Sequence, residues 1–380
     1  MVRVLATSVD SAGHAALLLP LAAAARRTGH EVLVVLGPAT AGRARGMGLA
    51  VHELPVPDDD VAAERAELFG RSMELIMGGE RYRGDVLVVG EVFGRLNTVR
   101  DLGGLQDAVE RFRPDVLLHD PLCGPALVAA TAAGVPSVVS AWYPREGLAA
   151  FEAACAAGAA VASDREPEIL ADVLAGATRL SPLPHGADPS DVVRWRMRSR
   201  GRAVEASRPR PLVYATLGTV VGQIPPLAVR FLGLITSAVA GLDVDVRITV
   251  GHDTDRRLLP APPENVEVLP FLDHAEVMPN AAVVVSHGGL NTVMDAAAWG
   301  RPQVVIPTHA TDQIVTGGWL QDAGAGRCLL DEDQAPHVLT EALERALAGD
   351  HDRGAAALAE TLAALPSPDE AITTALARSV

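Results

Sequence analysis

Hydrophobic and polar positions along this chain come in blocks, and the period of the pattern switches from block to block. Val2 to Ser8 is a short apolar run that reads as a buried strand, with Val9 to His14 as its loop. Ala15 to Thr28 follows as a helix closed by Gly29, and Glu31 to Leu36 as a second strand. The order resumes with Leu105 to Phe112 as helix, Asp115 to His119 as strand, Gly124 to Ala133 as helix and Ser137 to Ser140 as strand. Apolar strands alternating with helices predict a parallel sheet with helices on both faces. Between these blocks, Pro57 to Gly104 is polar, glycine-punctuated and weakly periodic, so helices and loops inserted above the sheet are expected there. Trp142 to Gly176 is helix-rich and heavy in alanine.

Leu180 to Pro211 changes character, with prolines, an arginine cluster (Arg194, Arg196, Arg198, Arg200, Arg202) and little apolar periodicity. It reads as a linker or interdomain crossing whose charges form a solvated face, with an anion site as the rival reading. Strands then return at Leu212 to Thr216, Asp245 to Val250 and Val266 to Leu269, with a helix over Leu227 to Ala240. Val283 to Gly326 is the most informative stretch: an apolar run, the turn Ser286-His287-Gly288-Gly289, a helix opening at Asn291-Thr292 and closing at Gly300, and a second run from Gln303 to Pro307. That order is one βαβ unit, and a polar loop carrying Asp312 and Gln313 follows it. The whole predicts an α/β protein of two Rossmann-like domains facing each other across a cleft. The expected bounds are 1–205, 206–360 and a helical tail over 361–380, free to pack back on the N-terminal domain and broken at Pro366-Ser367-Pro368.

Composition narrows the partners. The 380 residues are long enough for two full cores, and 49% of them are hydrophobic. A net charge of −15 argues against a nucleic-acid partner, since phosphate backbones recruit basic faces. Cys123, Cys155 and Cys328 are isolated and odd in number, which suits a reducing cytoplasm and offers no cysteine zinc site. Neither a signal peptide nor a membrane span is read, so a cytoplasmic protein, monomer or homodimer, is expected.

Chemistry concentrates in two places. His14 begins the first helix, where the positive end of the helix dipole disfavours protonation and leaves a neutral base. Asp120 lies just past the strand ending at His119, on the same sheet edge, and a carboxylate there can fix the imidazole tautomer. A helix N-cap is the rival role for Asp120; Asp10 and His119 are weaker candidates for the same work. In the second half, His287, Gly288, Gly289, Asn291 and Thr292 cluster at a helix N-terminus suited to a diphosphate, and Asp295 sits one turn on, near an attached ribose. Gly218-Thr219 is a second donor loop. Neither GxGxxG after the first strand nor GxxxxGK[ST] is present, so the dinucleotide and P-loop fingerprints are missing. Asp253-Thr254-Asp255 stands beside Arg256 and Arg257 and reads as a solvated turn, not a metal site.

With these residues in view, the chain resembles the GT-B nucleotide-sugar glycosyltransferases, specifically the family 1 members that decorate macrolides and aromatic polyketides in bacteria. SHGGLNTVMDAAAWGRPQVVIPTHATDQ is similar to that family's donor signature, and Gly13-His14 followed by Gly29-His30 to its opening. The resemblance implies His14 as the base that deprotonates an acceptor hydroxyl and Asp120 as its orienting partner. It implies His287, Gly288, Gly289, Asn291 and Thr292 on the diphosphate, Asp295 on the ribose, Phe271-Leu272 at the nucleobase, and Asp312-Gln313 on the sugar hydroxyls. Trp142, Met73 and Phe93 lie in segments that diverge to suit the acceptor, a small hydrophobic aglycone. No cofactor and no metal is implied, the nucleotide-sugar being a co-substrate. Two departures stand out: Asp295 is a shorter acid than the Glu of plant relatives, and Leu290-Asn291 replaces the x-Gly of many bacterial members. Rival readings are C- or N-glycosylation, a non-catalytic nucleotide-sugar-binding auxiliary protein, and an epimerase or phosphorylase of the same architecture.

Overall fold

The computed structural model describes residues 1–141, 145–184, 192–199, 209–218, 224–251, 254–255, 257, 259, 261–308 and 310–379, with side chains of 145–148 left aside. Two compact units divide it: Met1–Met197 together with Leu365–Val380, and Arg198–Ala364. The breaks read from the sequence were 205/206 and 360/361.

Seven parallel strands form the first unit's sheet, in the order β3-β2-β1-β4-β5-β6-β7. They are β1 (Arg3–Thr7), β2 (Glu31–Leu36), β3 (Ala50–Glu53), β4 (Val116–His119), β5 (Ser137–Ser140), β6 (Thr178–Ser181) and β7 (Val193–Arg194). Val4, Leu5 and Ala6 of β1 and Val116, Leu117 and Leu118 of β4 are fully buried, as parallel strands covered by helices on both faces must be. The chain winds one way from β1 through β2 to β3 and the other way from β4 onward. The strand order therefore reverses between β1 and β4, which pair with Thr7 opposite His119. A crevice opens at such a point, beyond the carboxyl ends of the strands.

Three elements depart from the sequence reading. The helix expected at Leu105 runs from Asn97 to Phe112, because its first turns bury the polar residues Asn97, Thr98 and Asp101, which hide the apolar period. The supposed linker from Leu180 carries β6 and β7, and Arg194 is buried, not solvated. An arginine alternating with the buried Val193 and Trp195 defeats a hydrophobicity pattern. Pro57 to Gly104 contains the helices Asp59–Met77 and Arg81–Leu87, then a π-helix over Val88–Leu96. That wide turn packs directly on the helix Arg145–Ser163: a Cβ on Gly158 would lie 1.9 Å from the Gly90 carbonyl oxygen, so no larger residue fits. The tail helix Pro368–Ser379 belongs to this unit, pairing Asp369 with Arg27 at 2.5 Å and Ser379 with Thr178 at 2.9 Å.

The second unit repeats the plan with six parallel strands, ordered β10-β9-β8-β11-β12-β13. These are β8 (Leu212–Thr216), β9 (Asp245–Thr249), β10 (Val266–Leu269), β11 (Ala281–Ser286), β12 (Gln303–Val305) and β13 (Gly326–Cys328). Here the order reverses between β8 and β11, and Thr216 lies opposite Ser286. Both reversal points therefore coincide with the residues that the sequence singled out: the loops after β1 and β4, and the loops after β8 and β11.

Candidate active site

In the first unit, the helix Ala12–Arg27 starts at the end of the β1 loop, so His14 is its third residue. No side chain caps that helix end. Asp120 follows β4, and its carboxylate Oδ2 accepts the hydrogen bond from His14 Nδ1. Its other oxygen, Oδ1, accepts the Leu122 backbone N–H at 2.7 Å. The carboxylate is therefore held from two sides while buried to 3% exposure; it caps no helix, since the helix Gly124–Ala133 begins after Cys123 with no side-chain cap. With the proton on Nδ1, the Nε2 lone pair is the basic one. Phe93 stands edge-on to the His14 ring, with centroids 5.6 Å apart and planes at 79°. Because Phe93 projects from the π-helix, that irregular segment sets one wall beside the imidazole.

The weaker candidates have other duties. Asp10 accepts from Thr40 Oγ1 at 2.7 Å and the Ala39 N–H at 3.3 Å, tying the β1 loop to the helix Pro38–Gly46. His119 is fully buried, donating from Nδ1 to the Asp120 carbonyl at 2.9 Å and meeting Ser137 Oγ at 3.0 Å. Burial lowers its pKa against the smaller upward pull of that carbonyl. Met73 is half-buried on the helix Asp59–Met77. Trp142 and Thr219 lie outside the described residues.

In the second unit, the turn after β11 brings His287 against two glycines. A Cβ on Gly218 would sit 2.7 Å from His287 Cε1, and one on Gly289 would sit 2.6 Å from Nε2. Gly218 also has φ +65°, a left-handed backbone that a side chain would strain. Gly288, at φ +92°, lets the Gln313 backbone pass, since a Cβ there would lie 2.8 Å from the Gln313 carbonyl oxygen. The three glycines thus pack the imidazole, the β8 loop and the start of the helix Thr311–Asp322 into one turn. Burial pushes the His287 pKa down to about 4, against a smaller upward pull from the Thr216 backbone. Its Nδ1 is enclosed without a hydrogen bond of good geometry. His287 is consequently a neutral imidazole at ordinary pH.

Gly289 is the N-cap of the helix Leu290–Ala298, and no side chain caps that end. Such an end carries N–H groups and about half a positive charge, which an anion satisfies. Thr292 is buried within the helix, its N–H bonded to the Gly289 carbonyl at 3.0 Å. Asp295 lies one turn beyond Asn291 and is gripped by two groups that the motif does not contain. His274 Nδ1 donates to its Oδ2 at 2.7 Å, and Arg198 Nε donates to its Oδ1. Arg198 also reaches Asn291 Oδ1 at 3.4 Å. Burial alone would raise the Asp295 pKa; the His274 hydrogen bond and the Arg198 charge outweigh it, and the carboxyl ends below its ordinary range. The His274 ring in turn stands edge-on to Tyr214, 5.8 Å away. Sequence reasoning missed both Arg198 and His274. The arginine cluster was the one available signal for the first, and nothing local marked the second.

Asp312 and Gln313 occupy the first turn of a helix, not the loop expected for them. Gln313 is buried, and its Oε1 accepts the Thr308 N–H at 2.8 Å and Oγ1 at 3.2 Å. Asp312 is half-buried at the positive end of that helix. Leu272 packs on the cluster of Tyr214, Met278 and Ala296, while Phe271 is 54% exposed. Among the described residues, no helix is long and apolar enough to cross a membrane.

Residues 234–377 match the family described as Erythromycin biosynthesis protein CIII-like, C-terminal domain. The chain is 29% identical over 348 residues to the L-demethylnoviosyl transferase of Streptomyces niveus, an alignment covering 86% of this chain and 85% of that one. It is 28% identical over 403 residues to the elloramycin glycosyltransferase ElmGT of Streptomyces olivaceus, covering 96% and 94%. Among solved structures, the glycosyltransferase VinC in complex with dTDP superposes with a TM-score of 0.72 at 22% identity over 99% of each chain, a likeness of fold.

Proposed function

We propose, for a chain that is a GT-B glycosyltransferase of natural-product tailoring type with an EryCIII-like C-terminal domain, that it is inverting and uses His14 as its general base. The donor is a thymidine or uridine diphosphate sugar, and the acceptor is a hydroxyl of a small, largely apolar aglycone. VinC's complex with dTDP supports the thymidine nucleotide, and the elloramycin enzyme among the relatives supports a natural-product acceptor.

In this scheme His14 Nε2 takes the acceptor proton as the hydroxyl oxygen attacks the anomeric carbon. The bond from that carbon to the diphosphate oxygen breaks in the same step, with inversion. Asp120 holds the proton on Nδ1 and stabilises the imidazolium that forms. Charge developing on the diphosphate is met by the uncapped end of the helix Leu290–Ala298 and by neutral His287 as a hydrogen-bond donor, and the scheme calls on no metal ion. Ribose hydroxyls can join Asp295, because each carboxylate oxygen has a second lone pair.

The observation that carries the reading is the His14–Asp120 hydrogen bond at the strand-order reversal, an arrangement with an evident use in proton transfer. Mass spectrometry of wild type with thymidine and uridine diphosphate sugars and a panel of polyketide acceptors gives the product. His14→Ala is expected to lower transfer by ~10²–10⁴ while nucleotide affinity stays within about twofold. Undiminished turnover in that variant removes His14 from the mechanism.

A further inference from the structure

A diphosphate leaving group brings more than one full negative charge to a site whose two expected partners offer little countercharge. His287 is neutral, and a helix end supplies about half a unit. Arg198 differs in kind. It is the first residue of the second unit, half-buried, and its guanidinium stands at the first turn of that same helix, over Asn291 and Asp295. Its contacts with Asp295 and Asn291 are unequal. Nε is tied to Asp295 Oδ1 as a charge-assisted bond, whereas the terminal nitrogen reaches Asn291 Oδ1 at 3.4 Å, near the limit of a useful hydrogen bond. Asp295 is itself fixed by His274 from the other side, so the guanidinium is aimed by a rigid carboxylate, not by its own flexible stem.

We propose that Arg198 is a diphosphate-binding residue, anchored through Nε to Asp295, whose terminal nitrogen exchanges its weak contact with Asn291 for the phosphate oxygens of the nucleotide-sugar. The inference rests on the glycosyltransferase reading and adds a cation to its donor site. Asp295 is held by His274 as well, so it keeps its place for the ribose when the guanidinium is lost, and the guanidinium acts on the diphosphate. The rival role is structural, with Arg198 serving only to neutralise and orient Asp295. The two differ in which part of the nucleotide feels the loss.

Calorimetry separates them. Thymidine diphosphate, thymidine monophosphate and thymidine, with the uridine series in parallel, are titrated into wild type, Arg198→Gln and Arg198→Lys. Arg198→Gln is expected to weaken the diphosphate by about 10–100-fold, the typical worth of a charge-assisted hydrogen bond, and to leave the nucleoside unchanged. Its diphosphate binding also becomes less sensitive to salt. Equal loss for nucleoside and diphosphate, or no loss for either, overturns the proposal. Should the Gln variant fail to fold, Arg198→Lys carries the test, since a point charge without the planar fork weakens the diphosphate several-fold at unchanged nucleoside affinity. Loss that again falls equally on both, or on neither, overturns it. Wild type that binds no nucleoside diphosphate removes the glycosyltransferase reading along with this one, whereas wild type that binds and transfers alongside an unaffected Arg198→Gln removes Arg198 alone.

Discussion

His14 follows β1, beside the central strand of the seven-stranded sheet, and His287 follows a central strand of the six-stranded sheet, each just beyond the carboxyl edge where the strand order reverses. Their settings differ in every other respect. His14 is hydrogen-bonded to a buried carboxylate, which fixes its tautomer and leaves Nε2 with the free lone pair. His287 has glycines on two sides and an enclosed Nδ1, no carboxylate among the described residues pairs with it, and its pKa is pushed down to about 4. The same strand-end position therefore holds a carboxylate-paired imidazole in one unit and an imidazole that is neutral at ordinary pH in the other. What decides is the side chain across the sheet edge: Asp120 beyond β4 in the first case, Gly218 beyond β8 in the second. The carboxylate of the second unit, Asp295, is occupied with His274 and Arg198 instead.

The sharpest way to break this contrast is to remove the carboxylate and keep its shape. Asp120→Asn retains the Leu122 N–H bond through the amide oxygen but can present its NH₂ to His14 Nδ1, favouring the wrong tautomer. A tautomer error of this kind costs ~10³–10⁴ in turnover in enzymes that depend on a His–Asp pair. We expect a loss of at least ~10² in kcat, with thymidine diphosphate affinity unchanged by calorimetry. Turnover within a few-fold of wild type would mean that His14 does not act as the base.

Much of that contrast could be read before any coordinates. His14 and Asp120 are 106 residues apart, yet parallel strands alternating with helices put both past a carboxyl edge. The turn Ser286 to Gly289 announced itself because strand, glycines and helix are contiguous in sequence. What stayed hidden depends on contacts between distant, unpatterned positions. Arg198 lies in the middle of a run whose alternating arginines mimic a solvated linker, although Arg194 in it is buried. His274 lies on a four-residue helix too short to show a period. Asp312 and Gln313 looked like loop residues because the helix starts from Ala310, which is no capping residue, and the hydrogen bonds of Gln313 to Thr308 exist only once the turn has closed. The short strand β7 was missed for the same reason: two residues cannot display an alternation.

A second break acts on the neutral histidine through its neighbour. Gly218→Ala places a methyl group 2.7 Å from His287 Cε1 at φ +65°, so the ring must move or the loop must. We expect destabilisation of ~1–2 kcal/mol, from the left-handed conformation and the clash together, and about a tenfold loss of diphosphate affinity. Gly233→Ala is the control: it lies in the helix Pro225–Val239 with nothing within 4 Å of a new Cβ, and gains ~0.5–1 kcal/mol. Thermal melts and calorimetry on the pair read both quantities. A Gly218→Ala variant as stable and as tight as wild type would show that the imidazole is not wedged by this glycine.

The smallest effect expected is on acid stability, and its sign follows from the neutrality of His287. Unfolded, the imidazole titrates near 6.5; folded, it takes a proton only near 4. Between those values the unfolded chain binds more protons, so stability is complete above about pH 6.5 and falls as pH drops toward 4. Taken at face value, the shift is worth ~2 kcal/mol between pH 6.5 and 5, at about 1.4 kcal/mol per unit. His287 as a residue is half-buried, so solvent screening brings the expected effect to about 1 kcal/mol. His287→Gln keeps a neutral hydrogen-bonding side chain and removes the titration. His119 is also depressed by burial and stays in place in both proteins, so it contributes equally and cancels in the difference. Denaturant melts of wild type and His287→Gln at pH 7, 6 and 5 should converge as pH falls, with wild type losing the larger share. Parallel lines would place His287 in contact with water or with a proton acceptor, and the contrast with His14 would then have to be drawn from the carboxylate alone.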